Sequence, residues 1–289
     1  DGSVILVEIE RRTLSRVGAD GRISVIADCG GGPNGAAMGP DGRVYVCNNG
    51  GFEWTQQGPF LRPGDALAGD YTGGSIQVVD IASGAVETLY TECNGIALKG
   101  PNDIVFDASG GFYFTDLGKR RGRSIDRGAV YYAQPDGGSI VEIVHPIDTP
   151  NGIGLSADET TLYVAETSGA RIWAFDIERP GKLRPGPHPF WPGRLLYKFT
   201  GYERLDSLAV DSEGNIVVAT LGTGCVTAIS PDGVLRAKVP VPEFDIMVTN
   251  ICFGGPDLRT AYVTSSGLGR LYSMQWHCPG LPLNFLPHR

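Results

Sequence analysis

Residues 99–118 read KGPNDIVFDASGGFYFTDLG, two strand-length apolar runs hinged on Ser109, Gly110 and Gly111, with the amide Asn102 beside the carboxylate Asp103 at the entrance. A turn of Asp, Ser and Gly feeding a run of Phe, Tyr and Thr has the chemistry of a tight hairpin. The layout returns as GPDGRVYVCN (39–48), SADETTLYVAE (156–166), DSEGNIVVAT (211–220) and GGPDLRTAYVTS (254–265), and the chain opens on a sixth copy, DGSVILVEI (1–9). Further strand-like segments follow each hairpin, such as SIQVVDI, AVYYAQ, RIWAFDI, CVTAIS and RLYSMQW, and sometimes a fourth, as in GAVETLY and SIVEIVH.

With Gly2, Gly42, Gly110, Asp158, Glu213 and Asp257 as equivalent turn positions, the spacings are 40, 68, 48, 55 and 44 residues. Periods of this size with about four strands each are the signature of propeller blades. The expectation is an all-β, six-bladed β-propeller with a central metal site, one domain over 1–289. A β-sandwich or parallel β-helix fits these unequal periods less well. The longest spacing holds the insertion NGGFEWTQQGPFLRPGDALAGDYTGG (49–74) and the next longest the Pro-rich ERPGKLRPGPHPFWPGR (178–194). Both read as long loops able to wall a binding site.

Composition narrows the partners. The 42 glycines, 20 prolines and 42% hydrophobic residues describe a folded chain rich in turns rather than a disordered one. A formal net charge of -8 offers no basic field for nucleic acid or an anionic membrane, and the one dense basic run, KRRGR (119–123), reads as a solvated loop. No apolar run approaches the roughly 20 residues that span a bilayer, and the start lacks a signal-peptide layout, so a soluble protein is expected. Six cysteines, Cys29, Cys47, Cys93, Cys225, Cys252 and Cys278, show no CxxC or CxxH spacing. They read as reduced thiols of a cytoplasmic protein rather than as a disulfide framework. Oligomeric state is left open.

The segments entering each hairpin also repeat: GPNGAAMG (32–39), GPNDIVFD (100–107), TPNGIGLS (149–156), RLDSLAVD (204–211) and VTNICFGG (248–255). One polar residue, in order Asn34, Asn102, Asn151, Asp206 and Asn250, stands seven or eight positions before the turn. In a propeller the first strand of each blade lines the channel, so such positions converge on one axial point. The result is a ring of oxygens, which hard cations prefer. The competing reading is local: Asn and Asp also cap turns. For Asn34 and Asn250 both readings stand.

PNDIVFDASGGFYFTD, TPNGIGLSADETTLYVAET, LDSLAVDSEGNIVVAT and TNICFGGPDLRTAYVTS, followed by PGLPL, resemble successive blade motifs of the SMP-30/gluconolactonase/LRE-like family over essentially the whole chain. The resemblance implies a six-bladed propeller with a divalent cation, Ca²⁺ first and Mg²⁺, Mn²⁺ or Zn²⁺ as alternatives, and lactonase or related hydrolase activity on a small molecule. It assigns Asn151 and Asp206 to metal-ligand positions and Asn102 to a position that holds metal in some members and substrate or water in others. The family's remaining ligand is a Glu in an EGP-type motif at the start of the first blade, which this sequence lacks. Counting eight back from Gly2 gives position -6, so that strand and its acid are expected upstream of residue 1. Glu8 matches Asp116 and Glu166 in register and reads as a strand-end residue; Asn284 in PLNF is a remote substitute ligand.

A cation so held can polarise an ester carbonyl and stabilise the oxyanion formed when water attacks. Asp206 is the expected ligand and proton acceptor, with Asp103 the runner-up base. Asn102, Asn34, Trp54 and Arg121 are candidate substrate contacts, with Phe52, Phe190 and Trp191 as further aromatic wall, although each aromatic could equally pack beneath its loop. There is no GxSxG elbow, Walker A loop or dinucleotide fingerprint, and His145, His188, His277 and His288 show no ligand spacing. A non-sugar substrate, or a binding propeller without catalysis, are the alternatives to a lactonase.

Overall fold

A computed structural model describes residues 2–286 of the chain. Its strands fall into two compact units, one of residues 2–54, 63–146 and 283–286 and the other of residues 55–62 and 147–282. Three antiparallel blade sheets belong to each, six in all, the six-bladed β-propeller fold.

In the first unit the blades run Val4–Glu8, Thr13–Val17, Ile23–Asp28; then Pro33–Met38, Val44–Asn48, Ser75–Val79, Val86–Tyr90; then Pro101–Phe106, Phe112–Asp116, Gly128–Ala133, Ile140–Ile147. In the second they run Pro150–Leu155, Thr161–Glu166, Arg171–Arg179, Arg194–Lys198; then Arg204–Val210, Ile216–Leu221, Cys225–Ile229, Leu235–Pro240; then Val248–Gly254, Thr260–Ser265, Arg270–Gln275. The first blade has three strands among the described residues.

The second strand of a blade is covered on both faces, so its sequence runs continuously apolar instead of alternating. Every residue of Val44–Asn48 and of Phe112–Asp116 is buried. Side chains from adjacent blades interdigitate there. In the first unit Tyr45 meets Phe106 edge to face at a centroid distance of 5.0 Å, with Phe112 and Tyr90 completing the aromatic cluster. In the second unit Leu205, Ile216 and Val218 pack with Ile172 and Ala174, while Val217, Val226 and Ala261 pack with Val248 and Val263. Fully burying one such side chain is worth about 1.5–3 kcal/mol, so the stacked faces hold the blades together.

The turn positions need one correction. The residue with positive φ is Gly42 or Gly110 as expected, but Glu159, Gly214 and Leu258 in the later blades, one place beyond Asp158, Glu213 and Asp257. Each Asx side chain before the turn accepts a backbone N–H two residues on, as Asp41 Oδ1 does from Arg43 and Asp257 Oδ1 from Arg259. That contact makes the Asp the conspicuous letter while the next residue bends the chain. With the corrected positions the interval becomes eight residues in all five blades: 34 to 42, 102 to 110, 151 to 159, 206 to 214 and 250 to 258.

The insertion at 49–74 is also no irregular loop. Phe52–Gln57 and Phe60–Leu67 pair as a hairpin. Alternation in FEWTQQ and a Gly at the tip carried that signal, and the prolines at 59 and 63 obscured it.

Gly42 has φ of 77°, and no atom lies within 4 Å of where a Cβ would stand. The cost of a side chain there is therefore conformational alone. Gly42→Ala is expected to lower unfolding free energy by about 1–2 kcal/mol in urea titrations, with the native spectrum unchanged.

Candidate functional site

The polar entrance residues sit on a repeated backbone irregularity. In the ladder between first and second strands, Pro33 pairs with Asn48 and Ala36 with Val46, so Asn34 and Gly35 together face one residue. The same shift brackets Asn102 and Asp103, Asn151 and Gly152, and Asp206 and Ser207; in the sixth blade the extra residue is Thr249, beside Asn250. A bulge of this kind bends a strand and re-aims its side chains, and such bulges cluster near active sites.

Within the first unit the bulges of the second and third blades touch. A Cβ on Gly35 would overlap the carbonyl oxygen of Asn102 and stand 2.7 Å from Asp103 Cα, so only glycine fits. Asn102 is 3% exposed, and its Oδ1 is buried and accepts no hydrogen bond among the described residues. Asp103 is also buried; its Oδ1 accepts from Ile104 N at 3.0 Å and its own N–H donates to Thr115 Oγ1 at 3.1 Å.

The second unit repeats this arrangement. A Cβ on Gly152 would stand 2.7 Å from the Asp206 carbonyl oxygen, so Asn151 and Asp206 lie on touching strands. Asn151 is buried and donates through Nδ2 to Thr167 Oγ1 at 3.1 Å. Asp206 is half-buried, and its Oδ1 accepts from Ser207 N at 3.1 Å, as Asn250 Oδ1 does from Ile251 N at 2.7 Å. Between Asp206 and Asp103, the former is the more open carboxylate. Asn34, like Asn250, is half-buried.

These side chains offer oxygen only, the donor set of a hard cation such as Ca²⁺ or Mg²⁺ rather than of zinc. The orphaned Oδ1 of Asn102 fits the same role, because an unmet buried acceptor costs about 1–3 kcal/mol unless a ligand fills it.

The strand-end acids do structural work. Asp116 accepts from the N–H groups of Lys99, Gly100 and Gly118 at 2.7–2.9 Å, fastening the loop into the inner strand. Asn48 does the same for Gly32 and Gly50, and Glu166 for Asp148, with Arg171 Nε as its ion-pair partner. Burial pushes the Asp116 carboxyl up despite its three donors.

Lys119 corrects the reading of KRRGR as solvated. It is 3% exposed, its Nζ donates to Gly51 O at 2.7 Å and Asn49 Oδ1 at 3.3 Å, and it lies over the Phe52 ring at 4.0 Å and the Tyr71 ring at 5.2 Å. Both legs of the 49–74 insertion therefore converge on one amine from the third blade. Sequence reasoning missed it because neighbouring Arg120, Arg121 and Arg123 are exposed and set the tone of the run; the Gly118 before it was the available signal. Arg121, a candidate carboxylate guide, is ion-paired to Asp126 at 2.9 Å. Trp54 is half-exposed on the hairpin with Phe52 edge-on at 6.2 Å. Trp191 packs on Trp173 and Phe175, the packing alternative, while Phe190 is 88% exposed. Asn284 donates to Phe106 O at 3.1 Å, four residues along the strand from Asn102, which removes it as a substitute ligand.

His277 and Cys278 lie with Asp211, their ligand atoms within 4.8 Å of one another. Asp211 already accepts from Glu213 N, Asn215 N, Asn215 Nδ2 and Trp276 Nε1, so this corner fastens the turn of the fifth blade.

A model of the SMP-30/gluconolactonase/LRE-like region matches residues 1–267. Lactonase drp35 of Staphylococcus aureus (strain MRSA252) is 35% identical over 208 residues, 71% of this chain and 55% of that protein, and its counterpart from Staphylococcus saprophyticus is 36% identical over 206 residues with the same coverage. The chain thus spans about half the length of these curated relatives. Among solved structures, a gluconolactonase from Xanthomonas campestris superposes with a TM-score of 0.72 at 24% identity over 94% of this chain and 82% of that one. Regucalcin from Agrobacterium tumefaciens, described as a calcium-binding protein, gives 0.74 at 20% identity over 99% and 90%. At these identities the structural likeness speaks for the fold.

Burial lowers the Lys119 pKa from its ordinary 10.5 to about 7, against the pull of Asp116. Between those values the unfolded chain binds more protons than the folded one, so this group makes stability rise with pH from about 7 to 10. Lys119→Met is expected to remove that component, read as a smaller difference between urea midpoints at pH 7 and pH 9.5 than in the wild type.

Proposed function

The chain belongs to the SMP-30/gluconolactonase/LRE-like family, and on that premise we propose that it is a divalent-cation-dependent hydrolase that opens a lactone. The carrying observation is the buried Asn102 Oδ1 that accepts no hydrogen bond among the described residues, held on a bulge that recurs in the second, fourth and fifth blades. Asn151 and Asp206 are the proposed cation ligands, with Asn102 assigned by the family motif. Ca²⁺ is the first candidate. When bound, the cation supplies Lewis-acid polarisation of the ester carbonyl and stabilises charge on its oxygen.

The chain's own residues supply the rest. The Asp206 carboxylate, fixed by Ser207 N through Oδ1, is the proposed acceptor of a proton from the attacking water. Asp103 is the alternative base, less open and tied to Ile104 N. Thr167 orients the Asn151 amide through its hydroxyl. The names lactonase and gluconolactonase carried by the relatives support this reaction class. A lactone needs carbonyl activation and a nucleophile but no redox cofactor, which agrees with the lack of a dinucleotide motif.

One observation favours a substrate broader than an aldonolactone. The 52–67 hairpin carries Phe52 and Trp54, and aromatic faces of that kind suit an apolar ring or substituent. The six cysteines are free, four of them buried, which supports the reduced, cytoplasmic setting as part of the proposal.

The test is turnover on a panel of aldonolactones, aliphatic lactones and aryl esters, before and after chelation. Ring opening should vanish with chelator and return with Ca²⁺ or Mg²⁺. Asp206→Ala should lower kcat/KM by at least about 100-fold with the melting temperature held. Metal-loaded protein inactive on every lactone sinks the proposal.

A further inference from the structure

The first unit holds a second buried amide with an unmet atom. Asn49 follows the strand Val44–Asn48 and is 2% exposed. Its Oδ1 accepts from Gly51 N at 2.8 Å and from Lys119 Nζ at 3.3 Å, both unambiguous donors, so the oxygen is fixed on that side. The amide nitrogen must then point the other way, and Nδ2 has no hydrogen-bond partner among the described residues. A buried donor in that condition costs about 1–3 kcal/mol, so a chain keeps one where a ligand or a bound water completes it.

The place of Asn49 says what completes it. A Cβ on Gly32 would stand 2.6 Å from Asn49 Oδ1, and one on Gly35 would overlap the Asn102 carbonyl. Asn49 and Asn102 therefore pack against the two ends of the tetrapeptide Gly32–Pro33–Asn34–Gly35. At roughly 3.3 Å per residue the ends of that segment are on the order of 10 Å apart, a span that a substituted lactone bridges. The two unmet atoms are complementary: Asn102 Oδ1 can receive a cation, and Asn49 Nδ2 can donate only to an oxygen. The Lys119 amine on the far side of the Asn49 amide polarises it toward a carboxylate or carbonyl oxygen rather than a hydroxyl. The close approach of Gly32 and the Lys119 contact hold the Asn49 head group from two sides.

We propose that Asn49 Nδ2 is a substrate-recognition donor that selects lactones bearing a second carbonyl or carboxylate group. This rests on the lactone-hydrolase reading above and adds the substrate class. Lys119 is a positioning residue for it, acting through the Asn49 oxygen.

Asn49→Asp tests the idea, because it turns the donor into an acceptor while leaving the oxygen that meets Lys119. The substrates are a γ-lactone with a carboxymethyl substituent and the same γ-lactone without it. Wild type should prefer the first. Asn49→Asp should lower kcat/KM for the first roughly 10- to 100-fold, with little change for the second and the melting temperature held. Equal losses on both lactones, or a loss that tracks a lower melting temperature, assign Asn49 a structural role and overturn the proposal. So do unchanged kinetics. A binding measurement runs alongside: the ¹⁵N side-chain amide signal absent from Asn49→Asp should move when wild type is titrated with the hydroxy dicarboxylate formed from the first lactone. A stationary Asn49 signal, with or without movement of the Asn102 and Asn151 amides, means that a buried water is its partner and overturns the proposal. If wild type opens neither lactone, the hydrolase reading fails and the amide signal alone decides this one.

Discussion

Two residues facing one, at the head of the inner strands of the second to fifth blades, is the constraint from which the candidate site follows. A regular ladder would send Asn102 and Asp103 to opposite faces of the sheet at ordinary spacing. The bulge keeps the flanking pairs, Pro101 with Asp116 and Ile104 with Phe114, while the intervening pair is displaced. Touching strands then accept this geometry only where one has no Cβ, which is why Gly35 and Gly152 stand beside Asn102 and Asp206. Strand-end groups secure it from behind: Asn48, Asp116 and Glu166 each bind the backbone that leads into their own inner strand. Local backbone, neighbour packing and hydrogen bonding all serve one purpose, the presentation of an amide or carboxylate oxygen at a fixed point.

The first unit adds a layer that depends on a buried amine. Lys119 draws Asn49, Gly51, Phe52 and Tyr71 around a single amine, and Tyr71 in turn donates to Lys99 O at 2.8 Å. Burial opposes charge on that amine, so the contacts that replace water are what permit it. The outer part of the insertion is tied by Leu61 N–H to Gly267 O at 2.9 Å, by the Phe60 ring edge-on to Phe244, and by Arg120 to Asp65 at 3.6 Å between exposed groups. Of these, the exposed ion pair contributes little.

Much of the architecture was legible because propeller blades repeat. Five entrance segments and six turns could be superposed by eye, and the second strands betrayed their double burial as unbroken apolar runs. Turn positions slipped by one in three blades, in two of them because a capping Asp is chemically louder than the Glu159 or Leu258 that carries the positive φ. The hairpin within 49–74 hid behind its prolines. Asn49 gave no signal at all, being one of two adjacent asparagines before two glycines, a pairing that reads as a plain turn.

By itself the sequence determined the class of fold, the blade count, the family, and which residues head the inner strands. These are local or periodic properties: a turn needs its Asp and Gly, a doubly covered strand needs its apolar run, and both recur at blade spacing. Only the tertiary structure decided which polar groups are satisfied. Asp116, Glu166 and Asp211 look reactive in the sequence, yet each is consumed by backbone or side-chain donors. Lys119 looks as solvated as the arginines that follow it, yet it is enclosed. Hydrogen-bond satisfaction depends on which distant segments arrive at a given atom, and no pattern along the chain encodes that directly. The unmet Oδ1 of Asn102 and Nδ2 of Asn49 therefore become visible only once every neighbour is in place.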